Sequence, residues 1–189
     1  MSWPIIVILG YLLGSIPTAY IAGQLLKGKD IRQIGDGNTG ARNAFHQLGH
    51  KTGIGIFFVD VAKGTLPILI AQAAALPQVA ILTTGIAAVV GHNWPVFIGF
   101  RGGRGVSTTI GVLLAIVTQP MLAVAGPATL ILIIRKNVTL ASAFMFVPLP
   151  LACWWLGLPG ILVTYSIALP CLVGLTHFLR TGQTAIHQA

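Results

Sequence analysis

"VSTTIGVLLAIVTQPMLAVAGPATLILIIRK", residues 106–136, is the stretch on which the fold turns. As one continuous helix it crosses a bilayer with length to spare. As two helices, 106–118 and 121–134, each half reaches only about 20 Å against an apolar core of about 30 Å. Gln119-Pro120 lies between the halves, and a proline inside a helix kinks or breaks it. The two readings place Arg135 and Lys136 on opposite sides of the membrane, so the charges elsewhere in the chain decide between them.

The chain has 189 residues, 55% hydrophobic and 7% charged, with a mean hydropathy of +0.88. A soluble domain carries roughly a quarter of its residues as charges. Apolar runs follow one another almost to the C-terminus, which predicts a helical integral membrane protein. The first run, Trp3–Leu26, has no basic residue before it and is too long for a signal-peptide core, so it reads as a retained span. Cys153 and Cys171 fall inside apolar runs, where a free cysteine behaves as a small hydrophobe.

Working outward from residues 106–136, the sequence predicts seven spans: 3–26, 53–75, 79–98, 106–118, 121–134, 139–157 and 160–178. Lys27, Lys29, Arg32, Arg42 and Lys51 then lie in the first connection and Arg101 and Arg104 in the third. Arg135 and Lys136 lie in the fifth and Arg180 in the tail, all on one side. The opposite connections carry no charge. Basic residues collect on the cytoplasmic face, so the N-terminus is expected outside and the C-terminus in the cytoplasm. One continuous helix over 106–134 would break this pattern, and two short helices keep it. Short helices commonly border a cavity, and local thinning of the bilayer is the alternative. The expected fold class is all-α: a single domain, 1–189, of seven transmembrane helices, some short, around a cytoplasmic-side polar pocket.

Eleven Lys and Arg face only Asp30, Asp36 and Asp60. Composition alone is satisfied by topology, but three features point to an anionic ligand. The connection Lys27–Thr52 contains "DIRQIGDGNTGARNAFHQLG", with Gly35, Gly37, Asn38 and Gly40 able to turn backbone N–H groups inward, and with Arg42 and Asn43 as side-chain donors. Its spacers Ile31, Ile34, Ala44, Phe45 and Leu48 predict packing rather than a solvated loop. The stretch "GFRGGRGVSTT", residues 99–109, places two arginines among glycines just before a helix N-terminus. Free N–H groups, the helix dipole and guanidinium forks together suit a phosphate. Polar residues at span ends form the third feature: His92-Asn93, Thr139, Ser142 and His177 read as the rim of one pocket. Asp60 and Lys63, three apart on one helical face, are expected to pair structurally.

The absences narrow the chemistry. Three carboxylates, none paired in sequence, disfavour two-carboxylate catalysis. No Cys/His spacing suggests zinc, and no Gly-x-Ser-x-Gly elbow is present. An enzyme with this sequence works by binding and orienting anions.

Together "LLGSIPTAYIAG", "DIRQIGDGNTGARN", "VDVAKG", "GHNWPVFIGFRGGRGVSTTIGVLLA", "VTLAS" and His177 resemble the PlsY family of bacterial acyl-phosphate-dependent glycerol-3-phosphate acyltransferases. The resemblance covers nearly the whole chain. It implies seven spans in the bacterial cytoplasmic (inner) membrane, N-terminus out. It also implies transfer of a fatty acyl group from acyl phosphate to the 1-hydroxyl of glycerol 3-phosphate, giving lysophosphatidic acid and inorganic phosphate. The implied mechanism is substrate-assisted, without a protein nucleophile, metal or other cofactor. Its partners are the two substrates and membrane lipids, and no nucleic acid.

By position, the resemblance implies catalytic roles for Arg104, Ser142 and His177. It places Asn38, Gly40, Asn43, Arg101, Gly102, Gly103, Ser107 and Lys136 around substrate phosphate. Serine is usual in the family where Asp36 stands, arginine at His46, lysine at Arg101 and Arg104, and asparagine at Arg180. A carboxylate at Asp36 would repel a phosphate unless a cation, expected to be Arg180 or Arg42, pairs with it. The alternative to catalysis is a degenerate paralogue that binds or moves phosphorylated metabolites or lipid headgroups.

Overall fold

The computed structural model describes residues 2–186, with side chains described as far as Arg180. All regular structure among these residues is helical. In chain order the α-helices are α1 (Trp3–Gly14), α2 (Thr18–Lys27), α3 (Ala41–Gln47), α4 (His50–Ala73), α5 (Gln78–Asn93) and α6 (Val106–Ile116). They continue with α7 (Thr118–Arg135), α8 (Val138–Phe146), α9 (Leu149–Trp155) and α10 (Gly160–Ile186). Short 3-10 turns occupy Ile31–Gln33 and Val96–Ile98.

Six stretches are long and apolar enough to cross a membrane: α1–α2, α4, α5 with the turn after it, α7, α8–α9, and α10. The shorter apolar helix α6 is the seventh. The chain is an all-helical, multi-pass membrane protein.

Residues 106–136 form two helices. The break falls at Val117 (φ −126°, ψ 57°), two residues before the expected Gln119-Pro120. Pro120 instead occupies the first turn of α7, where a missing N–H removes no intrahelical bond. As a result α7 gains length, 18 residues or about 27 Å, and only α6, with 11 residues or about 16 Å, is short. Helices α4, α5, α7 and α10 pack around α6; Val112 and Leu113 are fully buried there. The α4 and α6 backbones nearly touch: a Cβ at Gly64 would overlap the Thr108 carbonyl, and one at Gly111 the Val61 carbonyl.

The first span, expected as one run, breaks at Ser15–Pro17. A break in a membrane helix releases carbonyls that lipid cannot satisfy. Here Lys63 Nζ donates to the Ile16 carbonyl at 2.9 Å and pairs with Asp60 Oδ1 at 2.9 Å. Asp60 Oδ1 also accepts the Thr18 hydroxyl at 3.1 Å. Both charged side chains are more than nine-tenths buried. The α4 ion pair thus serves the broken first span.

The first connection is folded rather than looped, and α4 begins at His50 instead of the expected 53. Ile31, Ala44 and Leu48 bury against Ala19 and Ile56 as a small apolar cluster of their own. Asp30 accepts the Arg32 backbone N–H at 2.9 Å and pairs with the Arg32 guanidinium at 2.7 Å. Hydrogen bonding from Arg32 holds the Asp30 carboxyl below its ordinary value. Arg32 Nη1 in turn donates to the Ile98 carbonyl at 2.8 Å, tying the connection to the turn after α5.

Candidate active site

The end of α2, the start of α4, the end of α5 and the starts of α6 and α8 lie at one end of the bundle, with the C-terminal half of α10. A cavity of about 400 Å³ opens among them, lined by Asp36, Arg42, Asn43, His46, Gln47, Arg104, Thr139 and His177. Four of these residues come from α3, whose i, i+4 pairs Arg42/His46 and Asn43/Gln47 share one helical face.

Asn43 builds the loop before it. Its Nδ2 donates to the carbonyls of Ile31, Ile34 and Asn38 at 3.2, 3.0 and 3.0 Å, and its Oδ1 accepts the Asp36 N–H at 3.3 Å. Gly40 supplies the extended N-cap of α3, buried against the Asn38 side chain.

Arg104 enters from the glycine-rich stretch. Its guanidinium reaches Asp36 Oδ2 at 3.6 Å, while its Nε is buried with no hydrogen-bond partner. The Thr176 hydroxyl is within hydrogen-bond distance of the Arg104 carbonyl, at 3.1 Å, as well as of the Leu172 and Val173 carbonyls of its own helix, and His177, the next residue on α10, lies beside the same cavity. Gly105 precedes α6 in the left-handed region (φ 86°), a conformation that excludes most side chains.

Several expectations are corrected by this geometry. The Gly102 N–H donates to the Asn93 carbonyl at 3.2 Å and the Gly103 N–H to the His92 carbonyl at 3.0 Å. Neither N–H is turned toward the cavity as a phosphate cradle requires. The glycines serve close packing instead, since a Cβ on Gly103 would overlap the His92 ring. His92 and Asn93 are sealed behind this stretch and do not form part of the rim. Asp36 pairs with Arg104, not with Arg180 or Arg42. Arg180 donates to the carbonyls of Gly102 and Asn93, clamping the glycine stretch to the end of α5.

Of the remaining expected residues, Ser142 is on α8 with its hydroxyl donated to the Val138 carbonyl at 2.8 Å. Lys136 is exposed at the left-handed C-cap of α7 (φ 50°), and Arg101 is exposed before Gly102. Ser107 lies part-buried in the first turn of α6, and the Asn38 Oδ1 is buried behind the loop. None of these lines the cavity, whereas Asn43, Arg104 and His177 do.

The model of the family described as glycerol-3-phosphate acyltransferase matches residues 4–183. The chain belongs to that family. A Dehalococcoides mccartyi protein named glycerol-3-phosphate acyltransferase 4 is 52% identical over 180 residues, covering 95% of this chain and 97% of its own. The Geotalea daltonii glycerol-3-phosphate acyltransferase is 38% identical over 178 residues, covering 94% and 91%. A crystal structure of PlsY, an integral membrane glycerol 3-phosphate acyltransferase, in its glycerol 3-phosphate form superposes with a TM-score of 0.87. It shares 34% identity and covers 99% of this chain and 94% of its own. The lysophosphatidic acid form superposes at 0.79 with 32% identity, covering 99% and 93%.

As a glycerol-3-phosphate acyltransferase family member, this chain brings to its cavity residues that the sequence motifs did not rank as site residues. Gln47 is the clearest. Its signal was its spacing of four from Asn43, visible once Ala41–Gln47 is read as a helix rather than a loop. Thr139 stood out as a rim residue, and it lines the cavity where its neighbour Ser142 does not.

Proposed function

We propose that the protein transfers a fatty acyl group from acyl phosphate to the 1-hydroxyl of glycerol 3-phosphate. The carrying observation is the cavity at the membrane helices' ends, in which Arg42, Arg104, His46 and His177 gather. Such a set of cationic and hydrogen-bonding groups suits substrates that both bear phosphate. The names of the relatives and of the solved PlsY structures support the acceptor.

The 1-hydroxyl oxygen of the acceptor attacks the acyl carbonyl carbon. The bond from that carbon to the phosphate oxygen breaks, and the hydroxyl proton leaves with the departing phosphate. The products are lysophosphatidic acid and inorganic phosphate, and no protein nucleophile takes part. Arg104 and His177 carry phosphate binding and orientation. Thr139 joins them from α8. Asn43 lines the loop side of the cavity, with Asn38 and Gly40 behind it in the loop that it builds.

All the Lys and Arg residues except Lys63 lie at the cavity's end of the bundle. The positive-inside bias puts that end in the cytoplasm and the N-terminus outside, as in a bacterial inner-membrane enzyme. Purified protein in detergent, given acyl phosphate and labelled glycerol 3-phosphate, should release phosphate only when both are present. Binding of both substrates without turnover would instead identify a degenerate paralogue.

A further inference from the structure

Arg104 offers the cavity a restricted surface. Its side chain is 15% exposed and its Nε is buried. One terminal nitrogen, Nη2, lies 3.6 Å from Asp36 Oδ2. Asp36 is held there by its surroundings. Its N–H donates to Asn43 Oδ1 at 3.3 Å and its Oδ1 accepts the Asn38 N–H at 3.2 Å. Asn43 itself is anchored by three backbone carbonyls. The flanking Gly35 (φ 63°) and Gly37 (φ 68°) turn the chain sharply on either side. This carboxylate is therefore built into the site.

We propose that Asp36 is an internal competitor for phosphate at Arg104, and so a determinant of which anions the site accepts. A ligand phosphate that takes the Arg104 guanidinium must displace the Asp36 carboxylate and then remain close to it. A phosphate dianion carries enough charge to win that exchange, whereas a singly charged carboxylate or sulfate ester gains little over Asp36 itself. The same competition weakens retention of inorganic phosphate. The inference rests on the reading of Arg104 as a phosphate-binding residue.

The test is equilibrium binding of inorganic phosphate and of glycerol 3-phosphate to the detergent-purified protein. Four forms are compared: wild type, Asp36→Asn, Arg104→Ala, and the double variant. Asparagine retains the Oδ1 that accepts the Asn38 N–H, so the loop keeps its shape. Asp36→Asn should bind inorganic phosphate about three- to tenfold more tightly, the range expected for a part-exposed ion pair plus a neighbouring like charge. In the Arg104→Ala background the same substitution should change affinity less than twofold. Asp36→Ser, which also removes the charge, should repeat the result if Asp36→Asn does not fold.

Unchanged or weaker phosphate binding in folded Asp36→Asn or Asp36→Ser overturns the proposal, because the carboxylate then either does nothing or supports the ligand. Tightening that persists without Arg104 overturns it too, since the charge would act on the cavity at large. Failure of the acyltransferase reading is separate: it appears as absent turnover in the wild type, whatever the binding constants.

Discussion

The Thr176 hydroxyl lies 3.1 Å from the Arg104 carbonyl and shares its one proton between that oxygen and the Leu172 and Val173 carbonyls of its own helix, at 3.1 and 2.9 Å, so the helix that carries His177 touches the backbone that carries Arg104. Two cavity residues 73 positions apart are thereby brought into register through one shared hydroxyl. Arg180, one turn further along α10, repeats the device on the Gly102 and Asn93 carbonyls.

Thr176→Val keeps the side chain's shape and removes the donor. A neutral hydrogen bond contributes about 0.5–1.5 kcal/mol, which corresponds to roughly a two- to tenfold loss in kcat/KM if the bond positions Arg104. Steady-state kinetics together with a melting curve check this. Full activity in a variant of unaltered Tm would mean that Arg180 and packing hold the stretch without Thr176.

Arg104→Ala should lose at least ten- to a hundredfold in kcat/KM, the worth of a charge-assisted bond to phosphate of about 1.5–3 kcal/mol. Arg104→Lys keeps the charge and should lose much less. Gly103→Val should be as damaging as Arg104→Ala, through the His92 ring that its Cβ would strike. It should also lower Tm, which Arg104→Ala should not. If Gly103→Val is active and stable, the packing of this stretch has been misread.

The Asp60–Lys63 pair predicts strong asymmetry between single and double variants. Asp60→Asn or Lys63→Met alone leaves a buried charge unanswered, at a cost of about 3–5 kcal/mol. Removing both charges together should recover much of that loss, although the Ile16 carbonyl then lacks its donor. Thermal unfolding in detergent reads the difference. Strictly additive losses would falsify the coupling.

Membrane sidedness is testable by labelling. With Cys153 and Cys171 replaced by alanine, a cysteine at exposed Gln78 should react with an impermeant thiol reagent from outside intact cells. One at exposed Gln33 should react only after the membrane is opened. Both positions are solvent-facing helix or turn residues, so poor reactivity through burial is not at issue. Reversed labelling overturns the orientation drawn from the basic residues.

Residues 106–136 show where sequence reasoning was sufficient and where it stopped. Charge placement required two helices there, because electrostatics confines Arg135 and Lys136 to the basic face whatever the packing. The exact break was not legible. A proline is equally acceptable just after a break and inside a helix's first turn, and only the packing around α6 put the break at Val117. Composition likewise announced a membrane protein, and residue types at span ends announced a polar pocket, whose cavity Asn43, Arg104 and His177 line. Such properties follow from local chemistry: lipid excludes charge, and phosphate demands donors.

Partnership was decided by the tertiary structure alone. The glycines at 102 and 103 looked like donors toward a ligand, but the end of α5 takes their N–H groups. Asp36 was expected to pair with Arg180 or Arg42, and only the folding of α3 against the stretch before α6 brought Arg104 to it instead. Lys63 was expected to answer Asp60, and it also answers a carbonyl 47 residues away that becomes orphaned only once the first span breaks. Hydrogen bonds and ion pairs act over about 3 Å, a distance that sequence separation does not measure.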